Sequence, residues 1–248
     1  MNAAEGQQES VAGRSDRLAV ENTAGRRHAL STRIWHWVNA ASLAILFMSG
    51  LNISNAHPHL YWGEWGFMQE NAWLSVPRFP GWATIPDYYS LAAARDWHIV
   101  FAWIFALGLL LYMIAAIANR HFRRDLVTRR REWHLRVFAA EIRQYLRFNF
   151  SHTGGKYGAM QKLTYAATIF VLLPLMIFTG MAMSPAMDAA WPWLLDVFGG
   201  RQSARSIHFI VAWALAAFTL VHIILVLLTG PFGQLRAMIT GGRLDETA

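Results

Sequence analysis

The sequence contains no cysteine and few charged residues. Only 15% of its 248 residues are charged, whereas a soluble domain carries about a quarter. The absence of cysteine excludes a disulfide framework, a cysteine-ligated zinc site, an iron–sulfur cluster and a covalently attached c-type haem. Any cofactor would have to be held by histidine, methionine or oxygen ligands. The low charge, together with a hydrophobic fraction of 55%, argues against a water-soluble globule.

Four long apolar runs are present instead. Crossing about 30 Å of hydrocarbon takes roughly 20 helical residues, and runs of about this length cover residues 34–51, 97–118, 163–183 and 207–229. We therefore predict an all-α integral membrane protein, a bundle of four transmembrane helices that we call the first to fourth spans. Residues 29–230 are expected to form this domain. The polar residues 1–28 are expected to be a disordered tail and no signal peptide, and residues 231–248 a C-terminal tail.

The basic residues predict the orientation of the spans. Of the 22 Lys and Arg residues, 18 fall in the termini and in the connection between the second and third spans, and 4 fall in the other two connections. The positive-inside rule places both termini in the cytoplasm. We thus expect a multi-pass protein of the bacterial inner membrane. Because topology accounts for the net charge of +7, nucleic acid is not an expected partner.

Two connections have a distinctive composition. The first, residues 52–96, is a long periplasmic loop rich in Trp, Tyr, Gly and Pro, so we expect it to fold over the membrane surface or to dock on another molecule. The second mixes apolar residues with arginines over residues 131–147, which is typical of an interfacial cytoplasmic helix lying on anionic membrane lipid. Solvated charge is the alternative for that segment. Pro174 predicts a kink in the third span.

Histidines inside the spans are the candidate functional residues. An ionisable side chain at membrane depth is energetically costly, so its presence there indicates a functional role. His36 lies near the start of the first span, His98 near the start of the second, and His208 and His222 on the fourth. The last two are 14 residues apart, which corresponds to about 21 Å along the axis and nearly the same helix face.

Depth in the membrane pairs these four histidines. His36 and His222 lie toward the cytoplasm, and His98 and His208 lie toward the periplasm. Two cross-helix pairs with no cysteine or carboxylate nearby suit two haems, each ligated by two imidazoles. Such haems have no open iron position and pass electrons rather than bind oxygen. The alternative is that each histidine only hydrogen-bonds a neighbouring helix.

Further residues fit this interpretation less specifically. Basic residues just outside the spans are candidates to pair with haem propionates, although each also suits a lipid-headgroup or topology role; they are Arg33, Arg95, Arg201, Arg205 and Lys162. Small residues would admit a flat porphyrin, or simply allow close helix packing; they are Gly50, Gly108 and Gly180. In the periplasmic loop, His57 and His59 are expected to be solvated.

Several motifs resemble the prokaryotic di-haem cytochrome b family, which includes the membrane subunits of nickel–iron hydrogenase, formate dehydrogenase and thiosulfate reductase. The motifs are RIWHWVNA (33–40), Trp97-His98, GGKYGAMQK (154–162), FTGMAMSPAM (178–187) and the His208/His222 pair. The periplasmic loop and the run SPAMDAAWPWL (184–194) are most similar to the thiosulfate-reductase type. Cytochromes of that type are often paired with a molybdopterin oxidoreductase.

The resemblance implies two haem b groups with the same pairing that depth predicts. His36 with His222 would hold the cytoplasmic-side haem, and His98 with His208 the periplasmic-side haem. It also implies a quinone site beside a Gly-Lys-Tyr-Asn-type motif that enters the third span.

The quinone motif is incomplete in this chain. Residues 155–157 match it, but Gly158 stands where asparagine is common. The polar contacts to quinone are therefore assigned to Lys156, Tyr157 and Gln161.

Together these features predict a membrane-bound di-haem cytochrome that transfers electrons between a quinone pool and a periplasmic oxidoreductase subunit, with a molybdopterin enzyme as one candidate. One alternative is a self-sufficient superoxide:quinone oxidoreductase of the same fold. The aromatic periplasmic loop favours a protein partner, because a small diffusible substrate needs only an exposed cationic entry. A second alternative, a non-redox histidine-dependent transporter, predicts a colourless protein, whereas both redox functions predict a coloured one.

Overall fold

The computed structural model describes residues 30–66, 68–118, 143 and 159–242. The N-terminal tail, the quinone-motif residues Lys156 and Tyr157, and the predicted interfacial helix apart from Arg143 lie outside these residues. Within the described part of the chain, four helices are long and apolar enough to cross a membrane. The predicted fold class of an all-α membrane protein with four spans is thereby confirmed.

The spans are longer than their apolar runs. The first is α1 (Leu30–Ala56) and the second is α2 (Leu91–Ala118). The third consists of α3 (Ala159–Ala167), a π-helical segment (Thr168–Leu172) and α4 (Leu173–Met183). Two short helices, α5 (Pro185–Ala190) and α6 (Trp193–Phe198), lead to the fourth span, α7 (Arg201–Leu228), and α8 (Pro231–Thr240) follows it.

The third span contains a π-helical segment that ends two residues before Pro174; the kink predicted at this proline stays a prediction. A proline has no N–H to donate to the carbonyl four residues earlier, and its ring clashes with that carbonyl in a regular α-helix. A wider π-turn at Thr168–Leu172 relieves this clash without ending the helix. Pro174 then lies in the first turn of α4.

The chain divides into two compact units, and the smaller contains residues 30–37 and 224–242 of the described part. In this unit the Arg33 guanidinium donates to the carbonyl of Ile239, and the Trp37 indole donates to the carbonyl of Met238 at 3.3 Å. Both carbonyls lie in the last turn of α8, where no further helical N–H is available to them. The last turn of α8, the helix that opens the C-terminal segment, is thus capped by the side chains of Arg33 and Trp37.

The larger unit, residues 38–223, includes the connection between the first and second spans. Residues 57–90 of this connection fold into a structure that we call the external cap. His59–Leu60 (β1) pairs antiparallel with Leu74–Ser75 (β2), with Leu60 opposite Leu74. Leu60 and Tyr61 are buried, so the cap has a small apolar centre of its own.

The external cap is hydrogen-bonded to the start of the fourth span. The Gly63 carbonyl accepts from the backbone N–H groups of Gln202 and Ser203 at 3.0 and 3.2 Å, and its N–H donates to Ser203 Oγ at 2.7 Å. Gly200 has a φ of +104°, and a Cβ there would lie 2.7 Å from the Gly63 carbonyl. Glycine is therefore required at position 200 for this backbone-to-backbone contact.

The cap is also attached to the end of the first span. The Asn52 side-chain amide donates to the carbonyls of Pro86 and Tyr88, both at 2.9 Å. Asn55 exchanges two hydrogen bonds with the backbone of Phe79, at 3.1 and 2.7 Å. Because these bonds join the cap to two spans, the loop between the first and second spans is a folded cover and not a flexible tether.

Candidate haem-binding site

His98 and His208 lie side by side in the larger unit. Their ring centroids are 6.2 Å apart and their ring planes are inclined by 58°. A metal bound between two imidazoles, with metal–nitrogen bonds of about 2 Å, would hold the ring centroids about 6 Å apart. The spacing therefore fits two imidazoles that share one metal ion.

Each of these rings has a hydroxyl partner on a different span. Ser49 Oγ of the first span lies 3.0 Å from Nδ1 of His98, and Thr179 Oγ1 of the third span lies 2.9 Å from Nδ1 of His208. Ser49 and Thr179 are themselves fully buried. All four spans thus contribute to positioning the two imidazoles.

The hydroxyl protons determine the tautomer of both rings. Ser49 donates its proton to the carbonyl of Ile45 at 2.7 Å, and Thr179 donates its proton to the carbonyl of Leu175 at 2.6 Å. Because a hydroxyl has only one proton, each oxygen accepts from the histidine, so Nδ1 carries the ring hydrogen. The lone pair of Nε2 is then available to a metal ion, and the second nitrogen is held by hydrogen bonding, as metal-ligating histidines require.

A glycine follows each hydroxyl residue and contacts the same ring. A Cβ placed on Gly50 would lie 3.6 Å from Cε1 of His98, and one on Gly180 would lie 3.5 Å from Cε1 of His208. Both are ordinary van der Waals distances, so a methyl group at either position would just touch the ring. The glycines that the sequence associated with a porphyrin therefore lie against the imidazoles. At Gly108 the nearest atom is a Val38 methyl carbon at 3.9 Å, which is ordinary packing.

Sequence reasoning missed Ser49 and Thr179. A hydroxyl in a membrane helix commonly bonds a carbonyl of its own helix, so neither residue stands out alone. The available signal was the recurrence of a hydroxyl residue followed by glycine, Ser49-Gly50 and Thr179-Gly180, in the two spans that do not carry the His98/His208 pair.

The other two predicted ligands, His36 and His222, lie in different units of the chain. The His222 ring stacks on Phe218 with centroids 6.2 Å apart and planes within 12°, and Phe218 meets Tyr165 of the third span edge-on at 6.3 Å. His36 belongs to the smaller unit, where it meets Trp37 edge-on at 5.1 Å. The pairing of His36 with His222 stays a prediction.

The basic residues that the sequence analysis assigned to haem propionates differ in their positions and contacts. Arg95 and Arg205 each stand three residues before a histidine of the pair, which places them about 4.5 Å further along the helix toward its external end. Arg201 forms an ion pair with Asp188 at 2.6 Å. Arg33 donates to the end of α8. Lys162 and Gln161 are half-buried near the start of the third span.

A porphyrin would supply the remaining ligands of a metal ion held by this pair of imidazoles. Among the residues that the structure describes, no group of three or more His, Cys, Asp or Glu could hold a metal ion. Two imidazoles fill two positions around iron, and the four porphyrin nitrogens fill the rest. A helical membrane protein with such an imidazole pair between its spans has the features of a membrane b-type cytochrome.

The sequence profile of the prokaryotic cytochrome b561 family matches residues 27–241. The chain belongs to this family and is a multi-pass membrane b-type cytochrome, which confirms the resemblance drawn from its motifs. Membership implies that the protein binds haem b. It also argues against the non-redox transporter.

The alignments with named relatives cover most of the chain. It is 28% identical to a protein of Azospira oryzae, YedZ1, whose name describes it as a protein-methionine-sulfoxide reductase subunit; the match covers 84% of this chain and 93% of the relative. It is 27% identical to a protein of Cupriavidus necator named as a Ni/Fe-hydrogenase B-type cytochrome subunit, over 77% of this chain and 74% of the relative. A protein of the same name from Azotobacter vinelandii is 25% identical, over 78% and 76%. No solved structure matches the chain.

Proposed function

We propose that this chain is the di-haem cytochrome b subunit of a membrane-bound oxidoreductase, and that it carries electrons between quinone in the bacterial inner membrane and a periplasmic partner. The observation that carries the proposal is the His98/His208 pair at 6.2 Å. When bound there, haem supplies one-electron redox chemistry. With both imidazoles as ligands, it would have no open position for oxygen.

The protein's contribution to electron transfer is to hold the ligands still. Ser49 and Thr179 hydrogen-bond the rings, and Gly50 and Gly180 lie next to them. A ligand that is fixed in one tautomer and one orientation needs little rearrangement when the charge of the site changes. The arrangement therefore suits electron transfer better than ligand exchange.

The second haem of the proposal is assigned to His36 and His222. Support comes from their matched depth in the sequence and from the match of both positions to the family motifs. Phe218, stacked on the His222 ring, would fix the orientation of that ligand.

Quinone is proposed to bind near the cytoplasmic-side haem, with Lys156, Tyr157 and Gln161 as its polar contacts. Of these three, only Gln161 lies in the described residues, half-buried in α3. The basis for this assignment is the motif at the entry of the third span.

The relatives support an oxidoreductase partner, because their names describe subunits of a protein-methionine-sulfoxide reductase and of Ni/Fe hydrogenases. The charge distribution supports a periplasmic position for the external cap, and hence for the partner. A molybdopterin enzyme is one candidate, through the resemblance to thiosulfate-reductase cytochromes.

The external cap offers a surface for this partner. Its exposed aromatic residues, with those of α6 and its flank, are Trp62, Trp65, Trp73, Trp82, Tyr88, Tyr89, Trp191 and Trp193. Trp82 is 83% exposed and Trp65 is 72% exposed. Large exposed aromatic side chains are typical of residues that dominate protein interfaces, and the hydrogen bonds of the cap hold them in a fixed arrangement.

Replacing Trp62, Trp65 and Trp82 together with serine tests this docking role. We expect both haems to remain, because none of the three is a ligand. Haem reduction by the partner in the isolated complex should fall at least about tenfold, since interface hot spots contribute about 2 kcal/mol or more each. Stopped-flow absorbance of the haem bands measures this rate.

Trp103→Leu provides the control, because Trp103 is similarly exposed but lies within the second span. This variant should keep the wild-type rate. If the triple variant also keeps that rate, the docking role is lost. The superoxide:quinone oxidoreductase, which needs no protein partner, then becomes the better explanation.

A further inference from the structure

The helix α8 follows the fourth span, where the sequence led us to expect only a C-terminal tail. Two residues, Thr229 and Gly230, separate it from the last residue of the fourth span, Leu228. Gly230 has a φ of +100°, a conformation that favours glycine and allows the chain to change direction. Pro231 then occupies the first position of α8, where a proline fits the helix without loss of a hydrogen bond. The helix therefore starts at the boundary where the fourth span ends.

The other end of α8 is bonded to the first span. The Arg33 guanidinium and the Trp37 indole donate to carbonyls in its last turn, and both residues lie in the first two turns of the first span. A helix of ten residues is about 15 Å long, whereas the hydrocarbon layer is about 30 Å thick. Both attachment points are thus at the same face of the membrane, and α8 lies along this face instead of projecting into water.

One side of α8 exposes three large apolar residues. Phe232, Leu235 and Ile239 fall within about 60° of one another around the helix axis, and we call them the apolar stripe. Phe232 is 86% exposed, Ile239 54% and Leu235 46%. On the opposite side of the helix, Gln234 and Met238 are half-buried. A continuous row of exposed apolar side chains marks a surface that another apolar medium covers.

The neighbouring surface indicates that this medium is lipid. In the last turn of the fourth span, Ile224, Leu227 and Leu228 are 45 to 59% exposed, as expected for residues of a membrane-spanning helix that face lipid. The helix α8 begins only two residues beyond them. Beside the apolar stripe stands the exposed Arg236, about 40° from Phe232 around the axis. From there its guanidinium can reach lipid phosphates while its aliphatic part stays in the apolar layer.

We propose that α8 is an interfacial helix that inserts the apolar stripe among the phospholipids beside the spans and keeps Arg236 at their headgroups. An apolar face with a cation at its edge is the pattern by which helices bind in the plane of a membrane surface. The partner of this surface is thus the phospholipid layer, and neither another protein nor a second copy of the chain. The inference goes beyond electron transfer, since it gives α8 the role of a lipid-bound connection between the ends of the first and fourth spans.

Spin labelling of the purified, haem-loaded protein in liposomes of phosphatidylethanolamine and phosphatidylglycerol tests the proposal. The chain contains no cysteine, so a single introduced cysteine carries the label at one position. Oxygen is concentrated in the hydrocarbon and a nickel chelate in water, so the ratio of their collision rates with the label reports its depth. Labels on the stripe should favour oxygen; the variants are Phe232→Cys, Leu235→Cys and Ile239→Cys.

Labels on the water-facing side of α8 should favour nickel. The variants are Gly233→Cys, Arg236→Cys and Thr240→Cys, all at exposed positions on the side of Arg236 away from the stripe or at Arg236 itself. Together the two sets should give a ratio that oscillates with the helical period of about 3.6 residues. Two further variants calibrate the scale. Leu220→Cys, at a residue of the fourth span that is 60% exposed, gives the lipid value, and Glu70→Cys, in the external cap, gives the water value.

Two outcomes would overturn the proposal. If the stripe labels give the ratio of Glu70→Cys, the stripe lies in water. If they are protected from oxygen and nickel alike, protein covers the stripe, and a partner or a second copy replaces lipid as the occupant.

A combined variant checks that the apolar side chains cause the insertion. Leu235→Gln with Ile239→Gln removes two of the three stripe residues, so the label of Phe232→Cys should move to the water value. The matched control is Gly233→Gln with Thr240→Gln on the water-facing side, which should leave that label at the lipid value. Haem content should equal that of the wild type in both, which shows that the spans are intact. A label that stays at the lipid value without the two stripe residues would contradict the assignment.

Discussion

A His208→Ala variant should lose one haem and keep the other. His98→Ala should remove the same haem, because the two rings form one pair with centroids 6.2 Å apart. In each variant the haem content should fall to about half of the wild-type value, since a haem with one of its two axial ligands removed is weakly held. Haem content per chain and reduced-minus-oxidised spectra measure the effect.

The other two ligand variants complete this test. His36→Ala and His222→Ala should both remove the second spectral component and leave the first. His59→Ala, a replacement in the external cap, should keep both haems. If His98→Ala and His208→Ala abolish different spectral components, the pair does not share one haem and the assignment of ligands is wrong.

Thr179→Val is expected to have the next largest effect. Valine has nearly the shape of threonine but lacks the hydroxyl that accepts the Nδ1 hydrogen of His208 at 2.9 Å. The buried N–H then loses its side-chain acceptor, and loss of such an outer partner typically weakens metal binding 10- to 100-fold, as an order of magnitude. Ser49→Ala should act in the same way through His98. Transfer of haem to an excess of apo-myoglobin measures the loss.

The midpoint potential gives a second readout of Thr179. A hydrogen bond from Nδ1 makes the imidazole a more basic ligand, which stabilises the oxidised iron. Its removal should raise the potential of the haem that is lost in His208→Ala, and Thr179→Ser should restore it. Thr219→Val is the matched control, because Thr219 donates to the carbonyl of Leu215 at 2.8 Å and has no histidine partner among the residues that the structure describes. Equal haem retention in Thr179→Val and Thr219→Val would show that the hydroxyl does not position the ligand.

The spans and the His98/His208 pair were accessible from the sequence because they depend on patterns along single helices. Apolar length defines the spans, and the direction of each span sets the depth of its histidines. Proximity in depth was then sufficient to pair His98 with His208. Pro174 predicted a kink, whereas the π-helical segment that precedes it is not specified by any local sequence pattern.

The external cap depends on contacts that no local pattern specifies. Gly63 bonds to Ser203, 140 residues away, and Asn52 bonds across the loop to Pro86 and Tyr88. The burial of His57 Nε2 is a further consequence of this folding, which the sequence neighbours of His57 do not indicate. The contact of Arg33 with the carbonyl of Ile239 was not accessible either, because that carbonyl belongs to a helix absent from the sequence prediction. The propionate contact of Arg33 stays a prediction.

The number of haems bound by the purified chain tests the proposed arrangement most directly. A pyridine haemochrome assay, referred to the protein concentration from amino-acid analysis, should give two haem b per chain, because two pairs of imidazoles are assigned. One haem per chain would contradict the assignment of His36 and His222 as a second ligand pair, and a colourless protein would contradict the haem site at His98 and His208 as well.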